Sequence, residues 1–275
     1  MTVGAAREPP TRSYGYSRLP DVSIIIVSFN ARPDLERCLD SLGTSIRRSH
    51  EVIVVDNASR DGSADAAADR PGVRVIRREE NRGFAHATNI GIRAGSGTNL
   101  LLLNSDTVVP PGAVDRLLAI LEQHPDVAVV GPRLVDVTGR PELSFGRMIG
   151  PLNELRQKWR SRTAIARLTK RRHYPDWVSG ACLLVRRTDA EAVGLLDERY
   201  FMYTEDVDFC AAIRARGRRV LFTPEVEIVH LGGRSAAAAP AATRAAYRRS
   251  QIAFYRKHHR GWLPLLKLYL RVKGG

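Results

Sequence analysis

The amino-acid sequence predicts an α/β fold, a mostly parallel central sheet flanked by helices and followed by a basic helical extension. Three observations predict it. Near-continuous apolar runs recur, as in strands buried on both faces: VSIIIVSF (22–29), EVIVVD (51–56) and the four leucines that open LLLLNSDTVV (100–109). Segments of helical spacing lie between them, and that alternation calls for crossover connections. The 275 residues are 44% hydrophobic and 26% charged, enough apolar matter for a substantial core.

The elements follow in order. The first twenty residues are rich in Pro, Arg, Ser and Gly and lack an apolar h-region, so they read as a flexible tail, not a secretory leader. After the first strand, Pro33 lies near the start of a helix with Leu35, Cys38, Leu39 and Leu42 on one face and Gly43 near its end. EVIVVD is the second strand. A loop and short helix lead to a third, VRVIRR (73–78), and FAHATNIGIRAG (84–95) is a helix stopped by glycine. The leucine strand comes next, then a helix from about Pro111 to Gln123 and the strand VAVVGPRLV. In the second half, RQKWRSRTAIARLTKRRH (156–173) is strongly basic and weakly patterned, and WVSGACLLVRR (177–187) is strand-like. Glu205 to Gly217 has helical character, RRVLFTP and EVEIVHL read as two short strands, and an Ala-rich stretch leads to a basic helical tail.

The net charge of +14 implies attraction to something anionic: a nucleic acid, a membrane surface or a phosphorylated small molecule. No helix-turn-helix, zinc-finger or RNP motif is present, which argues against nucleic acid. No Walker-type GK[ST] and no dinucleotide fingerprint occur, and no run of 18 apolar residues could span a membrane as a helix. Cys38, Cys182 and Cys210 are odd in number and lack paired metal spacing, which points to a reducing compartment without a disulfide framework.

Polar residues at the ends of apolar strands are the candidate site, because open α/β sheets bind ligands beyond the carboxyl ends of their strands. The first strand ends at Ser28, Phe29 and Asn30, and the second at Asp56, Asn57, Ala58 and Ser59. Asp56 suits the N3–H of a uracil or thymine ring; the competing reading is helix capping by Asn57, Ser59 or Asp61. Arg82 and Asn89 are candidates to reach a phosphate or the base. Asn104, Ser105 and Asp106 end the leucine strand, either as an ordinary turn or as a ligand site. In FMYTEDVDF (201–209), Glu205, Asp206 and Asp208 stand among Tyr200, Phe201 and Tyr203. A helix start tolerates acids, but acids packed among aromatics are costly without a task, and one of them is a candidate general base. His230 in VHLGG, if near Asp106, completes an N/O pair suited to Mg2+ or Mn2+.

Taken in order, SIIIVSFN, VIVVDNASRDGS, ENRGFAHATNIGI, LLLLNSDTVV, WVSGACLLVRR, GLLDERYFMYTEDVDFCAAIRARG and VEIVHLGG carry a resemblance. Over most of residues 21–260 the chain resembles inverting family 2 glycosyltransferases of the GT-A fold. More narrowly, it resembles bacterial rhamnosyltransferases that build cell-wall and surface polysaccharides. The resemblance implies a catalytic domain over 21–235, with a nucleotide-binding half to about 135 and an acceptor-side half after it, and an extension over 236–275. It implies that Asp106 is the last acid of the metal-binding DxD motif. Asn104 stands where the first acid would be and Ser105 in the middle. His230 is then the second ligand of a divalent cation, Mg2+ or Mn2+. Asp206 is the catalytic base, with Gly180 and Glu205 on the acceptor side, and Asp56 reads the pyrimidine. Ser28, Asn30, Asp56, Asn57, Arg82, Asn89, Asn104 and Ser105 form the nucleotide-sugar subsite.

The reaction so implied moves L-rhamnose from dTDP-L-rhamnose to a glycan or a polyprenyl-pyrophosphate-linked sugar. UDP-galactofuranose, UDP-glucose and UDP-N-acetylglucosamine are the alternative donors. The expected place of work is the cytoplasm, peripheral at the inner face of the cytoplasmic membrane. Two segments mix cations with aromatic and aliphatic residues as an anionic leaflet requires. One is 156–173, with Trp159, Ile165 and Leu168. The other is 247–273, with Phe254, Trp262, Leu263, Leu265, Leu266, Leu268 and Leu270. For this second segment the alternative is an apolar side packed on the catalytic domain.

Overall fold

A computed structural model describes residues 19–150, 165, 167–232 and 240–274. Most of the N-terminal tail, the Ala-rich stretch over 233–239 and most of the basic 156–173 segment, Trp159 included, lie outside the described residues. The first half alternates strand and helix: β1 (Val22–Ser28), α1 (Arg32–Ser45), β2 (His50–Asp56), α2 (Ser63–Ala68), β3 (Val73–Arg77), α3 (Phe84–Ala94) and β4 (Asn99–Asn104). A two-residue strand β5 (Thr107–Val108), helix α4 (Ala113–Glu122) and β6 (Val127–Val135) follow. The second half holds β7 (Phe145–Gly146), β8 (Trp177–Val178), β9 (Cys182–Arg186), α5 (Arg187–Ala192), α6 (Glu205–Ala215) and β10 (Arg219–His230). Two helices close the chain, α7 (Pro240–His258) and α8 (Leu263–Gly274).

One sheet runs in the order β3-β2-β1-β4-β9-β6-β10-β5. β1 pairs in parallel with β2 and β4, β2 with β3, and β6 with β10. β9 runs antiparallel between β4 and β6, and β5 antiparallel on β10. Both faces are covered. Successive side chains of β1 point to opposite faces, so Ile24 and Ile26 join Leu35, Leu39 and Leu42 of α1, while Ile25 joins Ile53, Val55 and Ile92 beneath α3. The glycine inside α3 is a packing requirement: a Cβ at Gly91 would overlap Ile25 Cγ2. The three cysteines are buried and unpaired.

Two expectations about elements are corrected. RRVLFTP and EVEIVHL belong to one strand, β10. Its pairing with β6 slips register between Thr223 and Glu227, where Pro224 has no N–H to donate. Conversely, WVSGACLLVRR is two strands, β8 and β9, separated by a turn at Ser179–Ala181. The backbone of that turn meets the first turn of α6.

The extension does pack on the domain. Phe254, Tyr255 and Leu266 are buried with Tyr200 and Val207, and Leu263 and Leu270 pack against the same cluster. The outer side of α8 stays exposed, with Leu265, Leu268 and Val272 beside Lys267 and Arg271.

Candidate active site

The parallel register aligns the strand ends the sequence singles out: Ser28 lies beside Asp56, and Val27 beside Asn104. Strand order reverses direction between β1 and β4, so these ends flank the crevice where doubly wound sheets bind ligands. Several polar atoms there are buried without a protein partner: Ser28 Oγ, Asp56 Oδ1 and Asn57 Oδ1. Buried polar atoms are nearly always satisfied, so these three mark a place for a ligand's polar edge. Asp56 spends Oδ2 on the Ser59 N–H at 3.0 Å and keeps Oδ1 for one more donor. Asn57 donates Nδ2 to Asn81 Oδ1 at 2.8 Å, which fixes the amide.

Other predicted residues shape the walls. Asn30, in the left-handed region at φ 50°, accepts the Arg60 N–H and donates its own N–H to Ser59 Oγ, tying two loops together. Arg82 is exposed and pairs with Glu80 at 3.5 Å. Asn89 is not brought into the crevice. Its side chain is 1% exposed; it donates to the Leu196 carbonyl and Glu198 and accepts the Leu196 N–H. A polar residue on the buried side of a helix has to be satisfied by protein, and Asn89 is.

Asp106 lies two residues beyond the end of β4. β5 then pairs antiparallel with the end of β10, Thr107 opposite His230, and the Leu231 N–H bonds the Asp106 carbonyl at 2.8 Å. This pairing brings Asp106 Oδ1 to 3.3 Å from His230 Nε2. His230 Nδ1 bonds Glu142 Oε2 at 2.9 Å. Burial disfavours a charged ring, yet Asp106 and Glu142 outweigh it and push the His230 pKa up to about 10. The surroundings therefore favour a positive charge at this point. A carboxylate on the far nitrogen also turns Nε2 toward Asp106, the arrangement that orients metal-ligating histidines. A hard oxygen and an imidazole nitrogen suit Mn2+ or Mg2+. No group of three potential ligand side chains occurs among the described residues. Sequence reasoning missed Glu142. Nothing local marks it, since it lies 88 residues from its partner.

The second half of the site is built on the Ser179–Ala181 turn. Asn104 N–H donates to the Ala181 carbonyl at 2.9 Å, joining the end of β4 to this turn. The preceding residue, Gly180, donates its N–H to Asp206 Oδ2 at 2.9 Å, and the Val207 N–H donates to Asp206 Oδ1 at 2.8 Å. Predicted metal side and predicted base thus hang on one short stretch of backbone. Glu205 is buried and its neighbour Asp206 half-buried, and desolvation raises both above the ordinary carboxylate range, Glu205 further pushed by the charge of Asp206. The two are not equivalent. Asp206 accepts two backbone N–H bonds, which favour its ionised form, whereas Glu205 Oε2 has no partner. The hydrogen bonds therefore favour the negative charge on Asp206 over Glu205.

The fold coincides with that of known proteins. The solved structure of mannosyltransferase PcManGT from Pyrobaculum calidifontis, in complex with GDP-Man and Mn2+, superposes with a TM-score of 0.61 at 21% identity, covering 91% of this chain and 69% of that one. GalNAc-T7 with UDP, GalNAc and Mn2+ gives 0.60 at 18% identity over 78% of this chain, which spans 44% of that longer protein. The structure is thus a GT-A glycosyltransferase fold. The model of Glycosyl transferase family 2 matches residues 23–193. The chain is also 33% identical over 261 residues to the N-acetylglucosaminyl-diphospho-decaprenol L-rhamnosyltransferase of Mycobacterium tuberculosis (strain ATCC 25618 / H37Rv), covering 87% of this chain and 85% of that one. The chain belongs to glycosyl transferase family 2 and is a glycosyltransferase. Asp206 and His230 lie beyond the span of the family match.

Proposed function

We propose that the protein transfers L-rhamnose from dTDP-L-rhamnose to a sugar on a polyprenyl pyrophosphate, with inversion at the anomeric carbon, in cell-wall or surface polysaccharide synthesis. The observation that carries the chemistry is the join between Asn104 and Ala181. It sets the Asp106–His230 pair and the Asp206 carboxylate on opposite arms of one backbone connection. A nucleoside diphosphate leaves as an anion, and a divalent cation held by Asp106 and His230 supplies charge neutralisation there when bound. The Mn2+ in the PcManGT and GalNAc-T7 complexes supports that cofactor. Asp206 takes the proton of the acceptor hydroxyl as that oxygen attacks C1 from the face away from the diphosphate. Asp56 Oδ1 accepts the N3–H of the pyrimidine. The donor and the lipid-linked acceptor are supported by the name of the mycobacterial relative.

A panel of nucleotide-sugars with Mg2+ or Mn2+ tests the donor. We expect dTDP-L-rhamnose to raise the unfolding temperature and turn over faster than UDP-glucose, UDP-galactofuranose or UDP-N-acetylglucosamine. Stabilisation by UDP-sugars alone would move the assignment to one of them.

No helix among the described residues is long and apolar enough to cross a membrane, so a lipid-linked acceptor has to be met at the bilayer surface. The exposed side of α8 and the Trp262 just before it fit that task, with Leu265, Leu268 and Val272 beside Lys267 and Arg271. Lys170 and Arg171 of the basic segment are also exposed, whereas Arg172 pairs with Glu225 and with His124 at 3.1 Å. Each cation near an anionic leaflet is worth about 1 kcal/mol. Sedimentation with anionic liposomes is expected to be lost with added salt and reduced in Leu265→Ser/Leu268→Ser and in Lys170→Ser/Arg171→Ser. Equal recovery in the supernatant with anionic and neutral liposomes at low salt contradicts the membrane role.

A further inference from the structure

The third acid of the EDVD stretch has no part in the reading above, and its surroundings are unusual. Asp208 is 2% exposed. It receives Lys257 Nζ at 2.7 Å on Oδ2, and His258 Nε2 lies 2.6 Å from its Oδ1. The hydroxyl of Tyr200, itself buried, donates to Oδ1 at 3.2 Å. Lys257 also reaches Asp197 at 2.9 Å. Two of these partners come from α7, 49 and 50 residues further along the chain.

α7 makes a second hold on the same segment. Ser250 Oγ donates to the Met202 carbonyl at 2.6 Å. The next two residues, Tyr203 and Thr204, both lie in the left-handed region, at φ 69° and 67°. Non-glycine residues adopt that conformation at a cost and persist in it where surrounding contacts over-determine it. Here the contacts are the Ser250 bond on one side and the Phe84 N–H donating to the Phe201 carbonyl at 2.7 Å on the other. The turn is pressed against Gly83, where a Cβ would overlap the Phe201 backbone. It delivers the chain directly into Glu205 and Asp206. Phe254 and Tyr255 of α7 complete the attachment, buried against Tyr200 and Val207.

We propose that α7 is a working part of the active site: through Lys257, His258 and Ser250 it fixes the Tyr200–Asp208 segment and so aims the Asp206 carboxylate. Lys257, His258 and Ser250 are positioning residues, since they bond Asp208 and Met202 and not Asp206. Asp208 is the anchor of the catalytic turn, not a second base. A misplaced reacting group costs about a hundredfold in rate, so an aim set from α7 appears in kcat more than in donor affinity. The consequence for rate rests on the glycosyl-transfer reading, while the brace itself does not.

The test uses the full-length protein and the variants Lys257→Met, His258→Gln, Ser250→Ala and Lys257→Arg. Hydrogen exchange needs no substrate. The amides of residues 201–207 are expected to exchange at least about tenfold faster in Lys257→Met, with those of β4 unchanged. In turnover with dTDP-L-rhamnose, Lys257→Met and His258→Gln lower kcat about 10- to 100-fold with the donor KM within about threefold, and Lys257→Arg restores most of the loss. Lys257→Met combined with Asp208→Asn loses less than Lys257→Met alone, because no buried carboxylate is left without its lysine. Ser250→Ala removes one hydrogen bond from a folded protein and gives a smaller change of the same kind, so the proposal stays testable if a Lys257 variant fails to fold. Faster exchange confined to α7, with wild-type kcat in the folded fraction, overturns the proposal and leaves α7 a structural strap. Wild-type protein inactive with every nucleotide-sugar would instead defeat the glycosyl-transfer reading for this panel, and exchange over 201–207 would still decide the brace.

Discussion

Asp206→Asn lowers kcat by about two to four orders of magnitude and leaves donor affinity nearly intact. The carboxamide oxygen still accepts one backbone N–H, from Gly180 or Val207, so the turn keeps its shape. What is lost is a basic oxygen. Steady-state kinetics and donor titration on the same preparation check both parts. In the wild-type protein the sign of the pH dependence follows from burial, which raises Asp206 above the ordinary carboxylate range. The base has to be ionised, so kcat/KM falls as pH drops through that raised value, and the acidic limb lies above the usual carboxylate region. An unaltered kcat in Asp206→Asn would move the proton-accepting role to Glu205. It would not move it to Asp208, whose oxygens are taken by Lys257, His258 and Tyr200.

Asp106→Ala abolishes turnover and removes the dependence of donor binding on divalent cation. In the proposed site Asp106 is one of two side-chain ligands, and no group of three such side chains occurs among the described residues to compensate its loss. His230, left beside Glu142 alone, keeps one carboxylate neighbour of its present two. Calorimetric titration of donor with and without Mn2+ gives a readout independent of activity: the metal-dependent gain in affinity disappears in the variant. Near wild-type turnover in metal-free buffer would refute the role of Asp106 as a ligand.

How much of this was legible in the sequence differs by kind of residue. β1, β2 and β4 were legible because strands buried on both faces leave long apolar runs, and their polar ends marked the crevice. Ser28, Asp56, Asn57 and Asp106 all stand at those ends, and their positions follow from register. The WVSGACLLVRR stretch misled because a turn within it carries no local break stronger than one glycine; its cause is a long-range bond, Gly180 to Asp206. Pro224 misled in the opposite sense, since a register slip let β10 continue past it. Asn89 was read toward the ligand because an asparagine in a helix near a polar turn gives no sign of which way it faces, and its partners Leu196 and Glu198 are over a hundred residues away. Glu142, Lys257 and His258 could not be read at all. Each acts through one contact between distant segments, and single charged residues in a basic, ion-paired chain have no distinguishing pattern.

The tail illustrates the same limit. Its apolar residues were open to two readings, packing on the domain or facing a membrane. The structure divides them by helix face: Phe254, Tyr255 and Leu266 are buried, and Leu265, Leu268 and Val272 are exposed. A mixed apolar and basic sequence without a strong period leaves that division to tertiary contacts.

The proposed reaction is a single displacement, with Asp206 accepting a proton on one side of the sugar and the diphosphate leaving on the other. The most direct measurement is the anomeric configuration of the first product, read by NMR early in a reaction of dTDP-L-rhamnose with an N-acetylglucosaminyl polyprenyl diphosphate and Mn2+. A configuration opposite to that of the donor is the predicted result. A product that retains the donor's configuration would contradict it, because retention needs either two displacements or attack from the face of the leaving group.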